Sequence, residues 1–203
     1  LNAIPYISRV DAGTVELVRS FGVEIASSAD LVQTFEAVWN DAQLESHLYA
    51  ARHMREIVDA IVKEVGRRIR DKVSATELEI QDFILREYER RDLTAGHPPI
   101  VAINAHSADP HYAPNAEDNL TMNRGDFLLV DMWSKQRLPH AVYDDITWTF
   151  FIGESVPPEH QHIFNVVRNG RDAAIKAAEQ RYPTGETLYG WQIDEEARQS
   201  ITK

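Results

Sequence analysis

Residues 127–151 read FLLVDMWSKQRLPHAVYDDITWTFF, and their reading decides the fold. Two apolar runs with strand-like alternation each carry an aspartate, Asp131 and Asp145, where a hydrocarbon side chain is the norm. In 127–133, Phe127, Leu129, Asp131 and Trp133 share one face, and Leu128, Val130 and Met132 share the other. In 145–150, Asp145, Thr147 and Thr149 oppose Ile146, Trp148 and Phe150. If the two strands are neighbours, one carboxylate from each reaches a common point. Like charges brought together need a cation, a shared proton or a basic partner. Carboxylate oxygens at fixed separation suit a hard or borderline divalent metal. Spacing alone leaves a plainer reading open, in which Asp131 ends its strand and Asp145 belongs to a turn beside Asp144.

Outward from this stretch, the chain alternates helical and extended patterns. Residues 12–21 read as a short helix stopped by Gly22, and VEIAS at 23–27 as a short strand. Residues 30–39 read as a short helix with an Asp cap and an apolar face at Leu31, Phe35 and Val38. A long amphipathic helix follows at about 43–70, with Leu44, Leu48, Ala51, Val58, Ile61, Val65 and Ile69 on its apolar face. Ser74-Ala-Thr-Glu77 reads as a capping box opening a helix over 75–91, with Leu78, Phe83, Ile84 and Tyr88 inward. Strands are expected at 100–104, 126–133 and 142–152, with a polar loop at 105–125 between the first two. Pro157-Pro158 opens a helix over 158–181, and a last helix runs over 187–202 without a Gly or Asn cap. The seam between parts of the chain falls near 27–42.

The 203 residues suffice for one large domain, and 43% hydrophobic content supports a real core. A net charge of -11 argues against non-specific binding to nucleic acid or to an anionic membrane surface. There are no cysteines, which excludes disulfides, thiolate metal sites and a Cys nucleophile. No apolar run approaches the roughly 20 residues of a membrane helix. The first residues have no basic region or long apolar core of a signal peptide, and a cytoplasmic location is the expectation. His106 and His111 lie in the polar loop, where a ring can donate to a substrate carbonyl or sit idle at the surface. His160 and His162, two apart on a helix, do not share a face and read as solvated surface. There is no H-E-x-x-H, G-x-S-x-G or P-loop.

Taken in order, Pro110-His111-Tyr112, Asn123-Arg-Gly-Asp126 leading to Asp131, Tyr143-Asp-Asp145-Ile-Thr147-Trp-Thr, and Gly153 resemble the first half of a pita-bread metallopeptidase domain. That is the α+β fold of methionine aminopeptidase, aminopeptidase P, prolidase and creatinase. The resemblance implies a curved, mostly antiparallel sheet with long outer helices. It covers roughly residues 40–203. Residues 1–28 resemble the tail of the N-terminal creatinase-type domain of the aminopeptidase P, prolidase and creatinase branch, which leaves 29–203 as the first half of the catalytic domain.

The resemblance also implies roles. Asp131 matches the first metal-ligating aspartate, and Asp145 the second, which bridges two metals. His111 matches the histidine that contacts substrate and helps stabilise the tetrahedral intermediate. The implied activity is hydrolysis of N-terminal residues from peptides, of Xaa-Pro aminopeptidase or dipeptidase type, by water activated on two divalent ions, Mn, Co, Fe or Zn. Peptide is then the partner, and a homodimer is the family habit. Two departures stand out. Trp148 occupies the place of the family's usual arginine, and the loop between the two aspartates is longer. The family's remaining ligands, a histidine and two glutamates, have no match; Glu195 and Glu196 lie on a helix ahead of the expected motifs. A half-built site on an apparently truncated chain is therefore expected, inactive alone. Two alternatives stay open: a non-catalytic pita-bread binding module, and a creatinase-like hydrolase of small amidine-bearing amides that needs no metal.

Overall fold

The fold is that of a computed structural model, which describes residues 10–202. Of the expected N-terminal tail at 1–28, residues 1–9 lie outside the described residues. The elements run α1 (Ala12–Ser20), α2 (Ala29–Glu36), α3 (Asp41–Asp71), α4 (Glu77–Arg90), β1 (Leu93–Thr94), β2 (Ile100–Ile103), a 3-10 turn (Asn104–Ala108), β3 (Phe127–Gln136), β4 (Asp144–Phe151), α5 (Pro158–Arg181) and α6 (Gly190–Thr202).

β3 is the hub of the sheet. It pairs antiparallel with β1, β2 and β4. Its burial alternates residue by residue, with Leu128, Val130, Met132 and Ser134 inward. Leu128, Val130 and Met132 meet Met54, Ile57, Val58, Ile61 and Val65 of α3 and Ile80, Ile84 and Tyr88 of α4 in one core. One face of the sheet is thus covered by two helices, and the other carries the aspartates. A register slip of one residue would turn Asp131 into that core, so the alternation fixes the pairing. Gly125, at φ +99, makes the left-handed turn that starts β3.

α5 and α6 pack on each other as a hairpin. Gly170 is buried there because a Cβ would stand 2.8 Å from Ile201 Cγ1. Much apolar surface stays bare: Ile163 is 62% exposed and Trp191 68%. Among the described residues the outer edge of β4 has no partner. An unpaired strand edge and bare apolar surface of this kind are features a neighbouring segment or chain would cover. No helix among the described residues is long and apolar enough to cross a membrane.

Several expectations need correction. Residues 23–27 form no strand, because no strand among the described residues offers them a ladder. Leu44 and Leu48 are exposed, since the first turns of α3 extend beyond the sheet; its core face begins at Ala50. Helix α4 opens not at Ser74 but at Thr76, whose side chain accepts from Glu79 N–H while Glu79 accepts from Thr76 N–H. That shift frees Glu77 to turn inward, where it is fully buried. β3 runs three residues further than expected and pairs at its end with the two-residue β1. His160 is not simply solvated; its ring stacks on Phe127, with centroids 5.6 Å apart, and lies against Phe151. His162 is exposed, as expected.

Candidate metal centre

The pairing of β3 with β4 sets Asp131 opposite Thr147 and Trp133 opposite Asp145. Asp131 and Asp145 are therefore diagonal neighbours on one face, a spacing of about 7 Å in an antiparallel pair. The turn reading of these residues falls: both lie inside paired strands. The Thr147 hydroxyl donates to Asp131 Oδ1 at 2.7 Å. No described residue donates to the Asp145 side chain. Its carboxyl is held above the usual range, first by partial desolvation and then by the charges of Asp131 and Asp144. The pair is thus unbalanced, with oxygen lone pairs left over.

Behind the pair lies a second, buried polar group. Asp144 faces the helices, opposite Ser134 on β3, and is 8% exposed. Burial pushes its carboxyl up, opposed by the charge of His47. Burial also pushes the Tyr88 phenol up, helped by Asp131, Asp145 and Asp144. Neither the Tyr88 hydroxyl nor Ser134 Oγ has a partner among the described residues. Trp148 points to the helix side as well, and the Arg55 guanidinium lies 4.4 Å from its ring centroid. Replacement of an arginine by Trp148 leaves the acid face itself unchanged.

A cleft of about 240 Å³ opens at Asp131. Ile100, Leu129, Asp131 and Thr147 form its floor, and Ser107, Ala108, Asp109 and Pro110 its wall. Asn104, at φ +51, turns the chain out of β2 into that wall. Its side chain ties the wall to the start of β3, donating to Asp126 Oδ1 at 2.8 Å and accepting from Phe127 N–H at 3.0 Å. His111 follows Pro110 directly and is exposed; its backbone N–H donates to Asp109 Oδ1 at 2.9 Å. The structure thus places His111 next to the cleft wall in sequence, while only Asp131 of the three predicted site residues lines the cleft. His106 is not at the cleft; it is committed to Glu77 and packs, tilted, against the Tyr112 ring. Glu77 is the residue that sequence reading missed. The inward turn that gives it a structural role depends on partners 26 to 43 positions away.

The donor set can be tested against a metal. Two carboxylates on one strand pair, one of them unpartnered, suit a hard or borderline divalent ion. They do not complete one: among the described residues no three His, Asp or Glu side chains gather as a metal site. The residues fit as part of a centre.

The fold and this acid pair define a pita-bread metallopeptidase domain. The profile of metallopeptidase family M24 matches residues 50–203, and the chain belongs to that family. Three solved structures are similar. Dipeptidase PepE from Mycobacterium ulcerans aligns with TM-score 0.69 and 21% identity, over 96% of this chain and 48% of its own. An X-prolyl aminopeptidase from Caenorhabditis elegans, described as a cytosolic enzyme with a di-nuclear active site, gives 0.64 and 22%, over 85% and 27%. Prolidase from Pyrococcus furiosus gives 0.60 and 17%, over 96% and 51%. The chain spans about half, or less, of these relatives. No curated protein matches it.

Proposed function

We propose that this chain supplies the first half of a divalent-metal-dependent exopeptidase that removes N-terminal residues from peptides, of Xaa-Pro aminopeptidase or dipeptidase type. The observation that carries the reading is the diagonal placement of Asp131 and Asp145 on one open face, with Asp145 left without a donor. Asp131 and Asp145 would hold the metal, with further ligands from outside the described residues. Divalent ions bound there supply positive charge that lowers the pKa of a water and polarises the scissile carbonyl. Thr147 orients Asp131 by its hydrogen bond. The cleft floor of Ile100 and Leu129 offers an apolar wall to a substrate side chain. His111, on the exposed turn after the cleft wall, is the group to donate to the developing oxyanion. The similarity to dipeptidase, X-prolyl aminopeptidase and prolidase structures supports this substrate class.

The test uses the full-length protein. Metal analysis should find about two divalent ions per chain, and Xaa-Pro peptides should be hydrolysed. Asp131→Asn and Asp145→Asn should each abolish hydrolysis. Full activity in either variant sinks the ligand assignment. A folded full-length protein with no metal and no hydrolysis points to a binding module.

A further inference from the structure

Glu77 begins α4, yet its side chain is fully buried. A carboxylate without partners there would be strongly destabilising. Instead, each oxygen meets hydrogen donors. Oε1 accepts from Ile103 N–H at 2.7 Å, and Oε2 from Leu120 N–H at 2.7 Å and from the Tyr112 hydroxyl at 2.7 Å. His106 Nδ1 lies 3.1 Å from Oε1 and 3.0 Å from Oε2. Since a carboxylate only accepts, the His106 ring carries its proton on Nδ1.

These donors are not scattered. Ile103 is the last residue of β2, His106 and Tyr112 flank the middle of the following loop, and Leu120 lies near its end. Between His106 and Tyr112 run Ser107–Pro110, the wall of the Asp131 cleft, and then His111. One side chain on a helix therefore fastens the loop at its start, middle and end.

We propose that Glu77 is the positioning residue of this site: its two oxygens clamp residues 103–120, so that Ser107–Pro110 wall the Asp131 cleft and His111 is presented beside it. The functional part of this assignment rests on the peptidase reading above. Glu77 touches no substrate; it acts through the loop.

The clamp makes a specific demand. Glu77→Gln is nearly isosteric but puts an NH2 group where one oxygen stood. In one orientation that group faces Ile103 N–H; in the other it faces Leu120 N–H. The Tyr112 hydroxyl and the His106 ring can change roles, but a main-chain N–H cannot. Either way, one main-chain N–H at an end of the loop loses its acceptor.

Two measurements test this. In the present chain, hydrogen exchange should show residues 103–120 exchanging about 10-fold faster or more in Glu77→Gln, the effect of one buried N–H losing its acceptor, with β3 and β4 unchanged. In the full-length protein, Glu77→Gln should lower kcat for an Xaa-Pro peptide about 10-fold or more, with KM within about 3-fold, as loss of an interaction made in the transition state requires. Tyr112→Phe removes one donor and keeps the packing, so it should show the same pattern more weakly. Ile84→Val, in the core of the same helix, is the control: it lowers Tm and should leave kcat unchanged. The proposal is overturned if loop exchange in Glu77→Gln matches wild type, or if its kcat loss is no greater than that of Ile84→Val at equal loss of Tm. If the full-length wild type hydrolyses no peptide, the peptidase reading falls, and exchange in the present chain still decides whether Glu77 holds the loop.

Discussion

Asp145→Asn should make the metal-free chain more stable, although most substitutions inside a paired strand destabilise. Asp145 is diagonal to Asp131, adjacent to Asp144, and receives no hydrogen bond to its side chain from a described residue. Favourable charge pairs across strands are worth about 0.2–1 kcal/mol, and like charges act with the opposite sign. Asp145 is exposed, so solvent screening sets the gain near the middle, about 0.5 kcal/mol. In a chain of this size about 1 kcal/mol moves Tm by about 2–4 °C, so the variant should melt about 1–2 °C higher. The assay is calorimetry at neutral pH, low salt and excess chelator. In about 1 M salt, where screening acts within about 3 Å, the gain should shrink. Added Mn2+ should reverse the order: the wild type gains about 2.7 kcal/mol at a hundredfold excess over Kd, and the variant gains little. A lower Tm for Asp145→Asn in chelator would refute the reasoning, because it would mean that an internal partner already balances the carboxylate.

Two further outcomes follow from the scaffold. Met132→Ala, on the core side of β3 between Asp131 and Trp133, should cost about 2–5 kcal/mol in denaturant unfolding, since Met132 is fully buried. Glu64 accepts from Arg67 and Arg68, and these guanidinium groups hold its carboxyl at about 2, against 4.5 when unperturbed. The folded value lies below the unfolded one, so this contribution is full above about pH 4.5 and is lost as pH falls toward 2. Screening limits it to about 1 kcal/mol. Glu64→Gln should therefore cost about 1 kcal/mol at pH 7 and flatten the acid limb of the stability–pH curve, so that variant and wild type converge near pH 2.

What was legible in the sequence was whatever repeats at short range. The alternation at 127–134 predicted the face of Asp131 because one side of β3 is buried and the other is not. The same rule failed at 23–27, where the described residues offer no neighbouring strand to pair with. Helical periodicity placed α3 but could not say how far the helix outruns the sheet, so Leu44 and Leu48 were assigned to a core that starts at Ala50. Around 74–79 the sequence offered two overlapping capping boxes, Ser74 with Glu77 and Thr76 with Glu79. Local pattern cannot choose between them. The choice is made by Ile103, Tyr112 and Leu120, whose donors take Glu77 out of the cap and into the interior.

Comparing the carboxylates shows why an open pair of aspartates points to something from solution. Glu87 is nearly buried and receives the guanidinium groups of both Arg90 and Arg91. Glu77 is fully buried and receives two main-chain N–H groups, a phenol and a ring nitrogen. In each case the cost of desolvation is offset inside the chain, and the carboxylate serves as scaffold. Asp131 has one hydroxyl donor, and the Asp145 carboxylate has none among the described residues. The same strand pairing that buries Val130 and Met132 holds these two charges together and prevents them from separating to relieve their repulsion. Arg55 is engaged by Trp148 on the helix side, and Lys135, on the aspartates' side of β3, lies over the Tyr143 ring. A sheet that fixes two carboxylates on one open face, with no cation among the described residues ion-paired to either, leaves their balance to a cation supplied from outside the fold.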